Sequence, residues 1–271
     1  MATLRNLLKL QEPRNELQYI IYPETREELK PLVFFDAGKF TRNDNGFKIG
    51  MHPHSGIGII TYFHGTDLHH KDSKDNDGII HDGGAQWIRT AGGLYHEEAY
   101  RRKHDDSTKN DWTGSIHQLW IQLPPEYEES EADYSNLKQK DIPQVDNVKI
   151  IVGSYKGVSA KMVPPVNMTY LDISLKENEE WEFQIPKNQT TGFIFTRDGQ
   201  LSINGLPLAN TNMAILEHND GLIKVKGTAV LTNFILVLAE PSPYQVITKG
   251  GQIHTNQEAL VRSTRRIYEL G

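Results

Sequence analysis

Two short motifs, His52-Pro53-His54 and His96-Glu97-Glu98, constrain this chain more than any other feature. Residues i and i+2 of a strand point to the same side of a sheet. On strands, His52 and His54 therefore converge, His96 and Glu98 converge, and Glu97 points away. Three imidazoles and one carboxylate suit a first-row ion such as iron, nickel, copper or zinc. Four protein ligands on an octahedral ion leave two positions open, enough for a substrate oxygen and dioxygen or water. Alone, an H-x-H is more often a surface or satisfied pair than a metal site, and H-x-E is weaker still. Here nine of the eleven histidines lie between residues 52 and 117, so the polar chemistry is gathered into one half of the chain. The text between the motifs reads as strands and tight turns, the local pattern of a barrel that brings distant motifs together. Gly56 to Phe63 (GIGIITYF) is rich in β-branched and aromatic residues, and Gly83-Gly84 and Gly92-Gly93 mark turns.

The pattern continues beyond the motifs. The first thirty residues are polar with scattered Leu and Ile and are expected as edge strands over the first barrel. Residues 33 to 123 carry strand-like segments. Pro124-Pro125-Glu126-Tyr127-Glu128-Glu129 does not continue a strand and is expected to close the first domain, with residues 131 to 147 as a linker. A second β pattern begins near Val148. Met168 to Leu175 and Trp181 to Ile185 alternate, Asn204-Gly205 is a hairpin signal, and the apolar Ala229 to Leu238 is the length of a buried strand. Gln257 to Glu269 reads as a helix capped by Thr255 or Asn256. The expectation is an all-β chain of two domains, residues 1–135 with the metal site and residues 136–271 without one. The second half has only His218 and His254, and Glu217 and His218 face opposite sides of a strand.

Composition removes several classes. No run approaches the ~20 apolar residues of a membrane helix, and the first residues lack an apolar core of signal-peptide length, so a cytoplasmic location without membrane attachment is expected. The absence of cysteine excludes disulfides and thiolate ligands. A net charge of −6 argues against direct nucleic acid binding, and Arg101-Arg102-Lys103 is followed at once by Asp105-Asp106.

The residues also resemble a known family. The matching text runs from Glu28-Leu29-Lys30-Pro31-Leu32 and Phe34-Phe35-Asp36 through His52-Pro53-His54-Ser55-Gly56, Thr61-Tyr62 and His70-Lys71-Asp72-Ser73. It continues in Gln86-Trp87-Ile88-Arg89-Thr90-Ala91-Gly92-Gly93-Leu94-Tyr95-His96-Glu97-Glu98 and Gln118-Leu119-Trp120-Ile121-Gln122-Leu123-Pro124. This resembles the pirins, within the cupin superfamily. The likeness covers most of the first half and is looser in the second, at Gly192-Phe193-Ile194-Phe195, Asn204-Gly205 and Ala239-Glu240-Pro241. The resemblance implies two cupin barrels in tandem, each a double-stranded β-helix or jelly roll, followed by a short C-terminal helix. It carries the family's metal ligands onto His52, His54, His96 and Glu98. Three stretches depart from the family pattern: Ser55 replaces its usual Arg, His81-Asp82-Gly83-Gly84 its P-G-D turn, and Ala99 to Thr113 is longer and more charged.

The resemblance further implies a mononuclear metal, most often iron, with nickel, copper, manganese or zinc as alternatives. For several pirins it implies quercetin 2,3-dioxygenase activity. A flavonol-like substrate would bind through its deprotonated 3-hydroxyl beside dioxygen, with Glu98 as catalytic base, and its ring would open with loss of carbon monoxide. Trp87, Tyr95 and Phe63 are candidate pocket walls, and each is equally a candidate for barrel core. The insertion is expected as a flap near the metal mouth, with Trp112 or Tyr100 over the ligand. Two other readings stay open. One is a regulatory protein whose metal state controls binding of a protein partner, and the other is a different metal-assisted cupin reaction.

Overall fold

The computed structural model describes residues 4–11, 21, 23–108, 110–210 and 212–271. The chain divides into two compact units. One comprises Glu16–Asp141 and Ser242–Gly271, the other Met1–Asn15 and Ile142–Pro241. Both are two-layered antiparallel β structures, as expected for tandem cupin barrels.

The unit built on the first half has a five-stranded sheet, ordered Asp133–Leu137, Ala85–Arg89, Ile57–His64, Trp112–Gln122 and Leu32–Arg42. Its second sheet is ordered Gly46–His54, Leu94–Arg101, Asp67–Asp72 and Asp77–Ile80. Side chains from both sheets meet in the interior. Ile57, Ile59 and Ile88 pack with Leu94, while Phe63 packs with Leu68, Ile80 and Tyr100. Each buried side chain of this size contributes ~1.5–3 kcal/mol relative to exposure.

The other unit has a seven-stranded sheet centred on Leu231–Ala239, Met168–Lys176 and Thr191–Asp198, faced by a four-stranded sheet. Val148, Ile150, Leu171, Ile173, Trp181, Phe183 and Phe234 share its core. The Asn204-Gly205 hairpin forms as expected, both residues having positive φ.

Three expectations change. The boundary at 135/136 cuts the strand Asp133–Leu137, which pairs residue for residue with Ala85–Arg89; the observed division falls between Asp141 and Ile142. This edge strand is polar on both faces, so its composition resembles a linker. Residues Ser242–Gly271 also belong with the first-half unit rather than the second. Finally, the N-terminal strand Leu7–Gln11 pairs with Met213–Leu216, so it edges the second-half barrel. Fully buried Arg5 explains this: it donates to the carbonyls of Glu217 at 2.5 Å and Thr190 at 2.6 Å, bonds a solvated arginine would not need. Later in the same stretch Pro23–Thr25 and Arg26–Leu29 are short helical turns rather than strands, and residues 1–3, 12–20 and 22 lie outside the described residues.

The C-terminal helix spans Gln257–Leu270, and the Asn256 side chain accepts from the Ala259 amide at 2.9 Å. Ala259, Ser263 and Ile267 form its buried stripe at four-residue spacing. No helix of the described residues is long and apolar enough to cross a membrane.

Candidate metal centre

The strands Gly46–His54 and Leu94–Arg101 are neighbours, with His52 opposite His96 and Ile49 opposite Glu98. A register irregularity between Ile49 and His52 re-aims the end of the first strand. As a result, ligand nitrogens of His52, His54 and His96 all lie within 4.8 Å of one another. Ring centroids are 4.8 Å apart for His52 and His54, 4.4 Å for His52 and His96, and 5.1 Å for His54 and His96.

Backbone carbonyls orient two of the rings. His52 Nδ1 donates to Gly50 O at 2.7 Å, and His54 Nδ1 donates to Gly251 O at 2.9 Å. A carbonyl only accepts, so each Nδ1 carries the proton and each Nε2 keeps its lone pair. Both ring nitrogens of His96, 1% exposed, are buried without a hydrogen-bond partner among the described residues. An imidazole desolvated in this way loses free energy unless something coordinates it. Burial also pushes the His96 imidazolium pKa well below its usual value and that of His54 down to about 4. Three converging imidazoles, two of them with the charged form disfavoured by burial, fit a divalent first-row ion.

Glu98 is buried on the same strand, two residues from His96, but its carboxylate is not within the 4.8 Å group. It accepts from Gln118 Nε2 at 3.1 and 3.2 Å. Burial raises its pKa to about 7, with Gln118 opposing and Asp36 adding to the rise. Glu97 is half-buried and pairs with Lys48 at 2.7 Å.

Sequence reasoning missed several neighbours. Trp120 Nε1 donates to Gln118 Oε1 at 2.9 Å, its ring meets His54 at 4.7 Å, and it stacks on Phe34 at 4.2 Å. Asp36, with one buried carboxylate oxygen unpartnered, is raised to about 7 by burial. Period two along Trp112–Gln122 places Gln118 and Trp120 on one face, a signal available in the sequence. His70, fully buried, pairs with Asp72 at 3.1 Å and its ring lies 5.5 Å from His96.

The candidate pocket walls differ in burial and surroundings. Phe63 is core, Tyr95 is half-buried, and Trp87 covers Gly58 while its neighbour Ile88 joins the cluster containing Trp120. The expected flap also changes. Ala99 to Arg101 finish one strand and Trp112 begins the next. Arg101 lies five positions beyond His96, about 16 Å along the strand. Tyr100 is core, stacked on Phe47, and buried Trp112 donates from Nε1 to Asp44 O at 2.7 Å. Neither is free to cover a ligand at His96.

The C-terminal hairpin Ile247–Lys249 and Gln252–His254 closes the site. Ser55 Oγ lies 2.9 Å from His254 Nε2, and His254 Nδ1 lies 3.2 Å from Glu128 Oε2. All three residues are buried, so this chain of contacts ties the His54 segment to the hairpin. The same hairpin brings Gly251 so close that an added Cβ would sit 2.5 Å from His54 Nδ1 and 3.0 Å from Pro53 O. Gly251→Ala is therefore expected to weaken metal affinity by ~10-fold or more, the scale of disturbing a ligand's supporting shell. Competition with a chelating dye measures it. Gly38→Ala, where the new carbon meets nothing within 4 Å, should leave affinity unchanged.

The fold and this donor set define a bicupin with a histidine cluster in one barrel. The resemblance to the pirins is borne out: the Pirin family model matches residues 12–121, covering the histidine cluster and Glu98. Human pirin is 28% identical over 246 residues, 86% of this chain and 81% of that protein. A solved quercetin 2,3-dioxygenase from Acinetobacter baumannii superposes with TM-score 0.86 at 18% identity, over 98% of this chain and 97% of that one. The bacterial pirin YhhW from Escherichia coli, solved in complex with nickel(II), superposes with TM-score 0.64 at 17% identity, over 89% and 96%.

Proposed function

We propose that His52, His54, His96 and Glu98 hold one divalent transition metal, most often iron, and that the centre opens flavonol-type aromatics as a quercetin 2,3-dioxygenase does. The observation carrying this reading is His96, whose two buried nitrogens lack hydrogen-bond partners among the described residues while His52 and His54 offer ligand nitrogens beside it. Rotation of Glu98 away from Gln118 would add the fourth ligand.

The bound metal would lower the pKa of a coordinated hydroxyl and hold the substrate anion beside dioxygen. The protein's part is orientation and proton handling. His52 is half-buried whereas His54 and His96 are buried, so access runs past His52. Partly buried Trp120, whose ring lies 4.7 Å from that of His54, gives an apolar face suited to an aromatic ligand. Glu98, buried and poised near neutrality, takes the hydroxyl proton at a carboxylate oxygen, and Gln118 Nε2 steadies that carboxylate.

Metal analysis of tag-free protein, paired with aerobic and anaerobic quercetin assays, tests the proposal. Oxygen-dependent loss of flavonol absorbance with carbon monoxide release is expected. Metal without turnover would instead favour a metal-dependent regulatory role. Glu98→Asp is expected to retain metal yet turn over ~10²-fold more slowly, because the base retreats by about 1 Å. Full quercetin turnover by that variant would exclude Glu98 as the base.

A further inference from the structure

Two of the three departures from the pirin pattern, at His81-Asp82 and in the insertion after Ala99, meet in space. Asp67, at the start of its strand, is buried, while His81 and His104 are exposed. One ligand atom from each lies within 4.8 Å of the others. Asp67 Oδ2 is 2.9 Å from His81 Nδ1 and 3.0 Å from His104 Nδ1, and the two rings are 4.0 Å apart. The strand register separates this group from the histidine cluster: Asp67 pairs with Arg101, whereas Asp72 pairs with His96.

We propose that Asp67, His81 and His104 form a second divalent-metal site, taking zinc, nickel or copper, that fastens the insertion to the barrel. One carboxylate and two imidazoles are a donor set for these ions. Ligands ~2.1 Å from a tetrahedral ion lie about 3.4 Å apart, so the observed separations need open by only a few tenths of an ångström. The Asp82 amide donates to Asp67 Oδ1 at 3.0 Å and the His104 amide to Oδ2 at 3.0 Å, so the carboxylate is fixed in place and Oδ2, which faces both imidazoles, coordinates through its second lone pair. Each imidazole must present its Nδ1 lone pair, so its proton moves to Nε2. The His81 and His104 side chains are 53% and 60% exposed, and water can satisfy that N–H. The surrounding charge also favours a cation. Lys103 Nζ is shared between Asp82 at 3.6 Å and Asp105 at 3.8 Å, which leaves carboxylate in excess.

A metal here would bridge the turn at residue 81 and the loop at residue 104. That loop is already folded on itself by Arg102, whose guanidinium donates to Asp106 at 3.0 Å and to the carbonyls of Thr108 and Asn110. The role is structural closure, distinct from the proposed catalytic centre.

The test uses tag-free full-length protein saturated with zinc and buffer-exchanged before metal counting. The double variant His81→Asn with His104→Asn retains amide donors toward Asp67 while removing both ligand nitrogens. It should hold about one zinc fewer per chain than the wild type. His96→Ala with the same treatment should lose its zinc from the other centre and keep this one, so failure of either assignment is read separately. Zinc should also slow tryptic cleavage after Arg102 and Lys103 in the wild type and in His96→Ala, but not in the double variant. Equal zinc in wild type and double variant would overturn the proposal, as would zinc-independent cleavage. If the double variant does not fold, exposed His104→Gln alone is read by the same two measurements with the same expected losses.

Discussion

Alanine in place of His96 is expected to leave the histidine cluster almost free of metal. The change removes an imidazole neither of whose buried nitrogens has a hydrogen-bond partner among the described residues. Disturbing a supporting partner already costs 10–100-fold in metal affinity, and loss of a direct ligand should exceed ~100-fold. Elemental analysis after buffer exchange, on protein loaded with iron or nickel, reads the effect. Glu98→Gln should show a smaller loss, because three imidazoles remain. Alanine at exposed His218, in the other unit, should change nothing. Metal content in His96→Ala equal to the wild type would remove the centre from this cluster.

The second large effect is on stability. Glu128, buried at the end of the short helix Pro125–Glu128, accepts from the Thr255 amide at 2.8 Å, from Thr255 Oγ1 at 2.7 Å and from His254 Nδ1 at 3.2 Å. Glu128→Ala strands these buried donors. Leaving a buried donor unsatisfied costs about 1–3 kcal/mol, and three such donors in a chain of this size lower Tm by on the order of 10 °C. The pH dependence has a defined sign. Burial alone would raise the pKa of Glu128, but hydrogen bonds from His254 and Thr255 together outweigh it and hold the folded-state value below that of an ordinary glutamate. A depressed folded pKa gives stabilisation that is complete above the unfolded pKa and is lost as pH falls through the folded one. The stability gap between wild type and Glu128→Gln should therefore be full near neutral pH and narrow progressively below about pH 4.5. Denaturant melts across that window measure it, and a gap that widened on acidification would contradict the assignment.

Much of the architecture was legible because side-chain alternation is local. The alternating run at Met168 to Leu175, the β-branched and aromatic run at Gly56 to Phe63, the Asn204-Gly205 turn and the capped C-terminal helix each carry their signal within a few residues. The strand Asp133–Leu137 was not legible, since an edge strand can be polar on both faces and its pairing with Ala85–Arg89 is a long-range fact. Arg5 is the same kind of case: nothing in its neighbours reveals that its partners are carbonyls some two hundred residues away.

At the candidate site, the sequence alone determined that His52 and His54 share a strand face and that His96 and Glu98 share another, because strand geometry makes i and i+2 equivalent. Only the tertiary structure decided that His52 stands opposite His96, that an irregular register turns the first pair inward, and that Gln118 holds Glu98 aside. It also decided that Gly251, far along the chain, fixes the tautomer of His54. These contacts join residues with no sequence proximity. They are selected by how the sheets close on one another, where burial leaves each polar atom only the partners that the packing brings within reach.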